Sequence, residues 1–298
     1  MIRLILMIVL VSMNIAQAKT DDCKWDNDIP CVTIIKPNSN AISYKISPSE
    51  IITKQQIDKN NLVDVNSVLS YVSNLSVVKS GPTGQQTSVF MRGSNSNHTL
   101  VLLNGIPIND QSTTNGAFDF GQDFTHSLNR IEVYKGSAGV HFGADAVGGA
   151  INLITDIDYD NKMTVGGSTG TKSINGNIYN RINDWDIGLS GGIHESETES
   201  ALKGGTDKDG VENKSIALTI KKWFTHNLQF RTNILARNTY ADLDGHSLAL
   251  QNGYDADNNL YALQTGIDYD TRTSRNYITL HTHAYERDYV SPVSYTHL

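Results

Sequence analysis

The sequence predicts two parts in series: an α/β domain over residues 46–157 and, over 158–298, the first strands of a transmembrane antiparallel β-barrel. Three observations carry this expectation. In the first part, short apolar runs and one helical stripe alternate between turn residues. From about Lys162 onward the chain changes to long period-two segments, joined by connections that are short and long in turn. After the N-terminus there is no run of 18 apolar residues of the kind a membrane-crossing helix needs.

Residues 1–18 read as a signal peptide: Arg3 is the charged start, Leu4 to Met13 is apolar, and Ala16-Gln17-Ala18 offers a small-x-small cleavage site. The apolar stretch is too short to cross a bilayer comfortably as an anchor. The net charge is −7 and becomes −8 without this segment, which carries one Arg and no acid (−7 − 1 = −8). Nothing in that balance favours nucleic acid as a partner. Cys23 and Cys31 are the only cysteines. In an oxidising compartment a small-loop disulfide is the default reading, and the rival, a reactive pair or a metal site, lacks a nearby His.

The α/β elements follow from local pattern. Ser49 to Thr53 reads as a strand, and Leu62, Val65, Val68, Leu69 and Val72 fall at helical spacing within Asp64 to Val72, a stripe that belongs in the core. Ser76 to Lys79 returns as a strand, and Ser80-Gly81-Pro82-Thr83-Gly84-Gln85 is a loop by its turn residues. Ser88 to Met91 and Thr99 to Leu103 are short strands flanking Arg92-Gly93, a pair of buried type. Asn104-Gly105 then makes a type I′ turn, since both residues tolerate positive φ, and the chain returns through Pro107-Ile108. Glycines at 136, 139, 143, 148 and 149 could suggest phosphate cradling, but no Lys-Ser/Thr follows them. Tight packing of the domain against a barrel wall accounts for them better.

In the second part, Leu228, Phe230, Thr232, Ile234 and Ala236 share one face and Gln229, Arg231, Asn233 and Arg237 the other, with Leu235 the exception. One apolar face at period two is what a lipid-facing strand requires. The pattern repeats at Ile174, Gly176, Ile178 and Ile182, at Trp185, Ile187, Leu189 and Ile193, at Ile216, Leu218 and Ile220, at Tyr261, Leu263 and Ile267, and at Ile278, Leu280 and Ala284. This gives about seven strands. A soluble β-sandwich alternates in the same way. The barrel reading rests on long strands, on short turns at Asn183-Asp184 and Thr225-His226, and on long polar loops at 195–213 and 241–258. Trp185, Trp223 and Tyr240 stand near strand ends, as girdle aromatics would. Seven strands leave a barrel incomplete, so the chain reads as an N-terminal fragment of a larger protein. Gly205-Thr206-Asp207-Lys208-Asp209-Gly210 places carboxylates two apart on a Gly-flanked turn, which suits either a hard cation or plain solvation.

Five blocks occur in order: Phe90-Met91-Arg92-Gly93, Val101-Leu102-Leu103-Asn104-Gly105, Arg130-Ile131-Glu132-Val133, Gly136, and Gly143 through Thr155. Together they resemble the plug of TonB-dependent outer-membrane receptors. The wording around Gly93-Ser94-Asn95-Ser96-Asn97-His98 resembles most closely the vitamin B12 (cobalamin) transporter branch, and the resemblance runs from about residue 28 to 289. It implies a plug at 46–157 inside a barrel of about 22 strands. In residues 19–45 it implies a box for the periplasmic TonB protein at Asp28, Ile29, Val32 and Thr33, which would pair by strand addition, while an ordinary first strand of the plug is the alternative. It maps cobalamin contacts to Ser80, Gln85, Gln86, Thr87, Thr113 and Thr114, polar loop residues that simple solvation also explains. Calcium is implied in the extracellular loops, at Asp207, Asp209, Tyr240 and Asp242, with Asp255 and Asp257 as weaker candidates. No covalent cofactor is expected.

The expected function is therefore TonB-dependent active transport across the bacterial outer membrane, with TonB, outer-membrane lipid and cobalamin as partners. A ferric siderophore or haem is the alternative cargo, and a surface docking protein without transport is the alternative class. Catalysis is not expected: nine histidines are scattered, and neither a nucleophile elbow nor HExxH spacing occurs.

Overall fold

The computed structural model describes residues 48–109, 116–136, 142–156, 161–200, 204–206, 208–243, 254–271 and 274–290. In the α/β domain the chain forms β1 (Glu50–Thr53), α1 (Lys54–Lys59), α2 (Val65–Leu69), β2 (Leu75–Lys79), β3 (Thr87–Met91), β4 (Thr99–Leu103), β5 (Ile106–Pro107), β6 (Arg130–Lys135) and β7 (Gly149–Ile154). Five of these strands make a mixed sheet in the order β1-β6-β7-β4-β5, in which only β4 and β7 run parallel; β2 and β3 form a separate antiparallel pair. All of β4 and all of β7 are buried, as expected of central strands covered on both faces.

Both helices are short and start on side-chain caps. Thr53 and Gln56 form a capping box at α1, and Asp64 accepts from Ser67 N at 2.6 Å to open α2. The stripe around Asp64 to Val72 thus folds as expected, with Val65, Val68 and Leu69 fully buried. Helix α1 was not anticipated, because six residues with Ile57 as the only buried apolar side chain show no period. The Asn104-Gly105 turn has φ of 50° and 86°, as a type I′ turn demands. Asn104 secures it by donating to Thr155 Oγ1 at 2.9 Å and accepting from Thr155 N at 3.0 Å.

Two local expectations are corrected. Arg92 and Gly93 are exposed rather than buried, and the Arg92 guanidinium lies over Gly136, where a Cβ would stand 2.2 Å from Nη1. Gly149, at φ 142°, packs inside the α/β domain rather than on the wall: a Cβ there would meet Tyr134 O at 2.1 Å and Met91 Sδ at 2.3 Å.

The second part is a sheet of seven antiparallel strands in sequence order: β8 (Lys162–Ser168), β9 (Thr171–Ile182), β10 (Trp185–Glu199), β11 (Lys208–Thr225), β12 (Leu228–Leu243), β13 (Tyr254–Asp270) and β14 (Arg275–Val290). The strands run further than their polar sequence suggests, reaching into the segments expected as loops over 195–199 and 208–213 and over 241–243 and 254–258. Cross-strand pairing, such as Glu212 with Tyr240 and Asn258 with Arg287, continues through them and satisfies the backbone.

Alternation is regular: Ile234 is 40% exposed on the outward face, whereas Leu235 is 6% exposed on the inward face. The apolar sets named from sequence share the outward face in neighbouring strands, for instance Leu189 beside Ile178 and Leu218. Trp223 departs from the girdle expectation. A register shift follows it, and its indole Nε1 donates to Asp186 Oδ2 at 3.1 Å, leaving Phe224 exposed in its place. Among the described residues no helix is long and apolar enough to cross a membrane, which has no bearing on strands.

Candidate functional site: the contact between domain and wall

The inner face of the strand wall carries the α/β domain, and the two share one apolar cluster. Ala217, Leu235 and Leu260 of the wall join Ile108, Phe118, Phe120 and Leu128 of the domain. Around this cluster the contact is polar. The segment Phe118-Asp119-Phe120-Gly121-Gln122-Asp123-Phe124 alternates aromatic anchors with acids, and both acids find arginines on inward-facing wall positions. Asp119 Oδ2 accepts from Arg287 Nη2 at 3.0 Å, while its Oδ1 accepts from the Thr87 and Gly121 amides, each at 2.9 Å. Asp123 pairs with Arg237, both side chains less than a tenth exposed. Burial pushes the Asp123 carboxyl up from its ordinary pKa, and the Arg237 guanidinium works against that shift. Thr239 Oγ1 donates to Gln122 O at 3.0 Å, Gln264 Nε2 to Asn104 O at 3.1 Å, and Lys221 pairs with Asp156 at 2.7 Å.

The loop over 80–86 reaches the far end of the wall. Gly84, at φ 97°, lies so close that a Cβ would stand 2.9 Å from Val211 Cβ. Gln85 is buried beside it, and its Nε2 donates to Asp242 O at 2.9 Å and to Asp209 Oδ2 at 3.3 Å. Of the ligand contacts expected from sequence, Ser80 and Gln86 are exposed. Gln85 and Thr87 are buried, and Thr87 Oγ1 donates to Gln85 O at 3.1 Å. Gln85 therefore fastens the loop to the wall. Gln85→Ala is expected to loosen this attachment by about 1–2 kcal/mol, seen as faster protease cleavage within 80–86.

The calcium candidates divide between the two faces of the wall, with Tyr240, Asp242, Asp255 and Asp257 together on the outward one. Asp209 lies on the inward face of β11 and already binds Gln85, whereas Asp242 lies on the outward face of β12, where Oδ2 accepts from Gly210 N at 3.2 Å. Asp255 stands opposite Asp242 and Asp257 opposite Tyr240. Among the described residues no group of three or more His, Cys, Asp or Glu could hold a metal ion. Asp207, Thr113, Thr114, Cys23, Cys31, Asp28, Ile29, Val32 and Thr33 lie outside the described residues.

Sequence reasoning missed Asp119, Asp123, Arg237 and Arg287 as partners, and it missed a histidine pair. His126 of the domain and His194 of the wall are both buried, their ring centroids 6.1 Å apart, with Phe124 against each. Burial first, then the neighbouring His194 and Lys54, lowers the His126 pKa from 6.5 to about 4. The folded state thus binds fewer protons at this site than the unfolded chain, so its contribution is complete above pH 6.5 and is lost as pH falls toward 4. A urea series from pH 7 to 4.5 is expected to show the midpoint falling, and His126→Phe to flatten that slope.

Residues 44–150 match the family model described as TonB-dependent Receptor Plug Domain. The α/β domain has the fold of a TonB-dependent receptor plug. The fold of plug and following strands is that of the start of a TonB-dependent receptor barrel, here not closed. Among solved structures, the siderophore receptor PirA from Acinetobacter baumannii is 15% identical with a TM-score of 0.55, covering 83% of this chain and 46% of that one. The ferric-catecholate import receptor Fiu from E. coli K12 is 16% identical with a TM-score of 0.64, covering 80% and 38%. The siderophore receptor PiuA from Acinetobacter baumannii is 18% identical with a TM-score of 0.62, covering 80% and 36%. The chain therefore spans less than half the length of each of these receptors.

Proposed function

We propose that the protein acts as a TonB-dependent receptor in the bacterial outer membrane, where the plug closes the barrel until the periplasmic TonB protein rearranges it. The seating of the plug on the inner wall carries this reading. A contact built from the Asp119–Arg287 and Asp123–Arg237 pairs, Gln85 and a few apolar side chains fixes one position of the plug. Ion pairs of this kind roughly break even against apolar packing, so the position is specific while remaining open to mechanical work. TonB would engage the segment holding Asp28, Ile29, Val32 and Thr33 by strand addition.

For the cargo, a ferric siderophore is favoured over the cobalamin that the sequence resemblance implied. The solved receptors of similar fold are named as siderophore or ferric-catecholate receptors. Moreover, Gln85 and Thr87, two of the implied cobalamin contacts, are engaged in holding the loop.

The test is uptake by the full-length receptor in cells lacking other iron-chelate receptors, with radiolabelled iron on a panel of siderophores and with labelled cyanocobalamin, with and without TonB. Iron uptake that vanishes without TonB is the expected result. TonB-dependent uptake of cyanocobalamin alone would restore the cobalamin reading, and binding of a ligand without uptake in either strain would favour a docking protein.

A further inference from the structure

Between α1 of the plug and the first two strands of the wall, β8 and β9, lies a cavity of about 250 Å³. Its charged lining is two ammoniums and one carboxylate: Lys54 and Asp58 from α1, and Lys162 from the start of β8. Both Asp58 oxygens are taken, since Oδ1 stands 3.2 Å from Lys54 Nζ and Oδ2 accepts from Lys162 Nζ at 2.9 Å. Lys54 Nζ also donates to Thr125 O at 3.3 Å. An ammonium has three protons to give, so Lys54 keeps one and Lys162 keeps two. One positive charge is left over, and among the described residues no other acid lines the cavity. Burial, first of all, lowers the Lys54 pKa from its ordinary value; Asp58 opposes that shift and Lys162 adds to it. The two ammoniums thus repel each other more than Asp58 makes good. His126 lines the same cavity. Gly192 admits its ring, for a Cβ there would lie 2.9 Å from His126 Cγ, and its Nε2 is buried without a partner. Thr164 and Asn175, paired across β8 and β9, add donors beside Ser173, and among the described residues none of these three side chains is hydrogen-bonded.

We propose that this cavity binds one small, doubly charged oxyanion of the sulfate or phosphate class, held by Lys54 and His126 of the plug and by Lys162 of the wall. Charge decides the class. The positive charge left over by Asp58, together with a proton taken up by His126, makes two, which a dianion neutralises. Water in the same space leaves the repulsion between the ammoniums in place. A simple carboxylate carries a single charge and presents its oxygens on one side only, whereas the donors here come from both plug and wall. The volume takes such an ion with a few waters of about 30 Å³ each. The site is also coupled to acidity. His126 faces Lys54 and His194, with Phe124 against both rings, Asp64 acting on His194, and Lys162 and Asp58 lining the rest of the cavity. No acid of its own therefore holds a proton on His126. A bound dianion supplies that partner, so the complex keeps the proton better than the empty site does, and binding tightens as pH falls. Because the ion touches both plug and wall, its occupancy stabilises the seated plug.

The test is isothermal titration calorimetry of sulfate into the full-length receptor in detergent, with chloride holding the ionic strength fixed, at pH 7 and pH 5.5. Sulfate is the probe because it stays doubly charged across that range. Wild type is expected to bind one sulfate saturably, at least threefold more tightly at pH 5.5 than at pH 7, and to bind acetate at least tenfold more weakly. Lys162→Gln, at a half-exposed position that begins its strand, is expected to lose at least tenfold in sulfate affinity. His126→Phe is expected to lose the pH dependence. Lys172→Gln, at an exposed lysine of β9 outside the cavity, is expected to match wild type. Far-UV circular dichroism checks that each variant is folded. Absence of saturable sulfate binding in wild type, equal affinity in folded Lys162→Gln, acetate binding as tight as sulfate, or a pH dependence that survives in His126→Phe overturns the proposal. Uptake does not enter these readouts, so a failure here leaves the transport reading standing, and a failure of transport leaves the anion site standing.

Discussion

Arg237→Leu is expected to unseat the plug, at a cost of about 3–5 kcal/mol, because it leaves the Asp123 carboxylate buried without its partner. With Arg237 gone, burial and the like charge of Asp119 remain, and both push the Asp123 carboxyl further up. The sign of the pH response follows. A native carboxyl with a raised pKa holds its proton better than the unfolded chain does, so seating in the variant is strongest at acid pH and weakens as pH rises above the ordinary carboxyl value of 3.8. Wild type shows less of this slope, since Arg237 opposes the shift. The double variant Asp123→Leu with Arg237→Leu should recover much of the loss, because two apolar side chains of similar size carry no stranded charge. Pulse proteolysis of the plug in the full-length receptor at pH 5 and pH 8 measures all three. Equal stability of Arg237→Leu and wild type at both pH values would show that the pair contributes nothing to seating.

The same pair shows where sequence reading stops. Asp119 and Asp123 stand in an aromatic-rich segment, and Arg237 and Arg287 more than a hundred residues later. Alternation alone placed Arg237 on the inward face of its strand, which is why the wall was legible: period two needs only neighbours in sequence. Which acid an inward arginine meets depends on how the plug sits, and no local pattern carries that. The parallel pairing of β4 with β7 is similar in kind, joining Val101 to Ile151 across fifty residues whose runs are apolar throughout. The turn at Asn104-Gly105 was legible because positive φ at both positions is a local requirement. Gln85 marks the opposite case. A polar residue in a loop reads as available to a ligand, and only the wall's approach at Asp209 and Asp242 shows that its amide is already engaged.

Leu235→Ala is expected to cost about 2–5 kcal/mol, whereas Ile234→Ala, one residue earlier, is expected to cost under about 1 kcal/mol. Both remove a branched aliphatic side chain from the same strand. Leu235 breaks the polar pattern of its face because the wall there meets the plug's apolar cluster, and plug side chains packed around it relax only partly into the space it leaves. Ile234 points outward, and on the outer-membrane reading proposed above lipid tails as apolar as leucine flow into any gap there, so no cavity persists and little transfer free energy is lost. The contrast thus reads out which face of β12 meets protein and which meets a fluid apolar phase. Urea midpoints of the two variants in lipid vesicles decide it. Equal losses at both positions would mean that the outward face is packed against protein, and a loss at Ile234 alone would mean that the two faces of the strand are reversed.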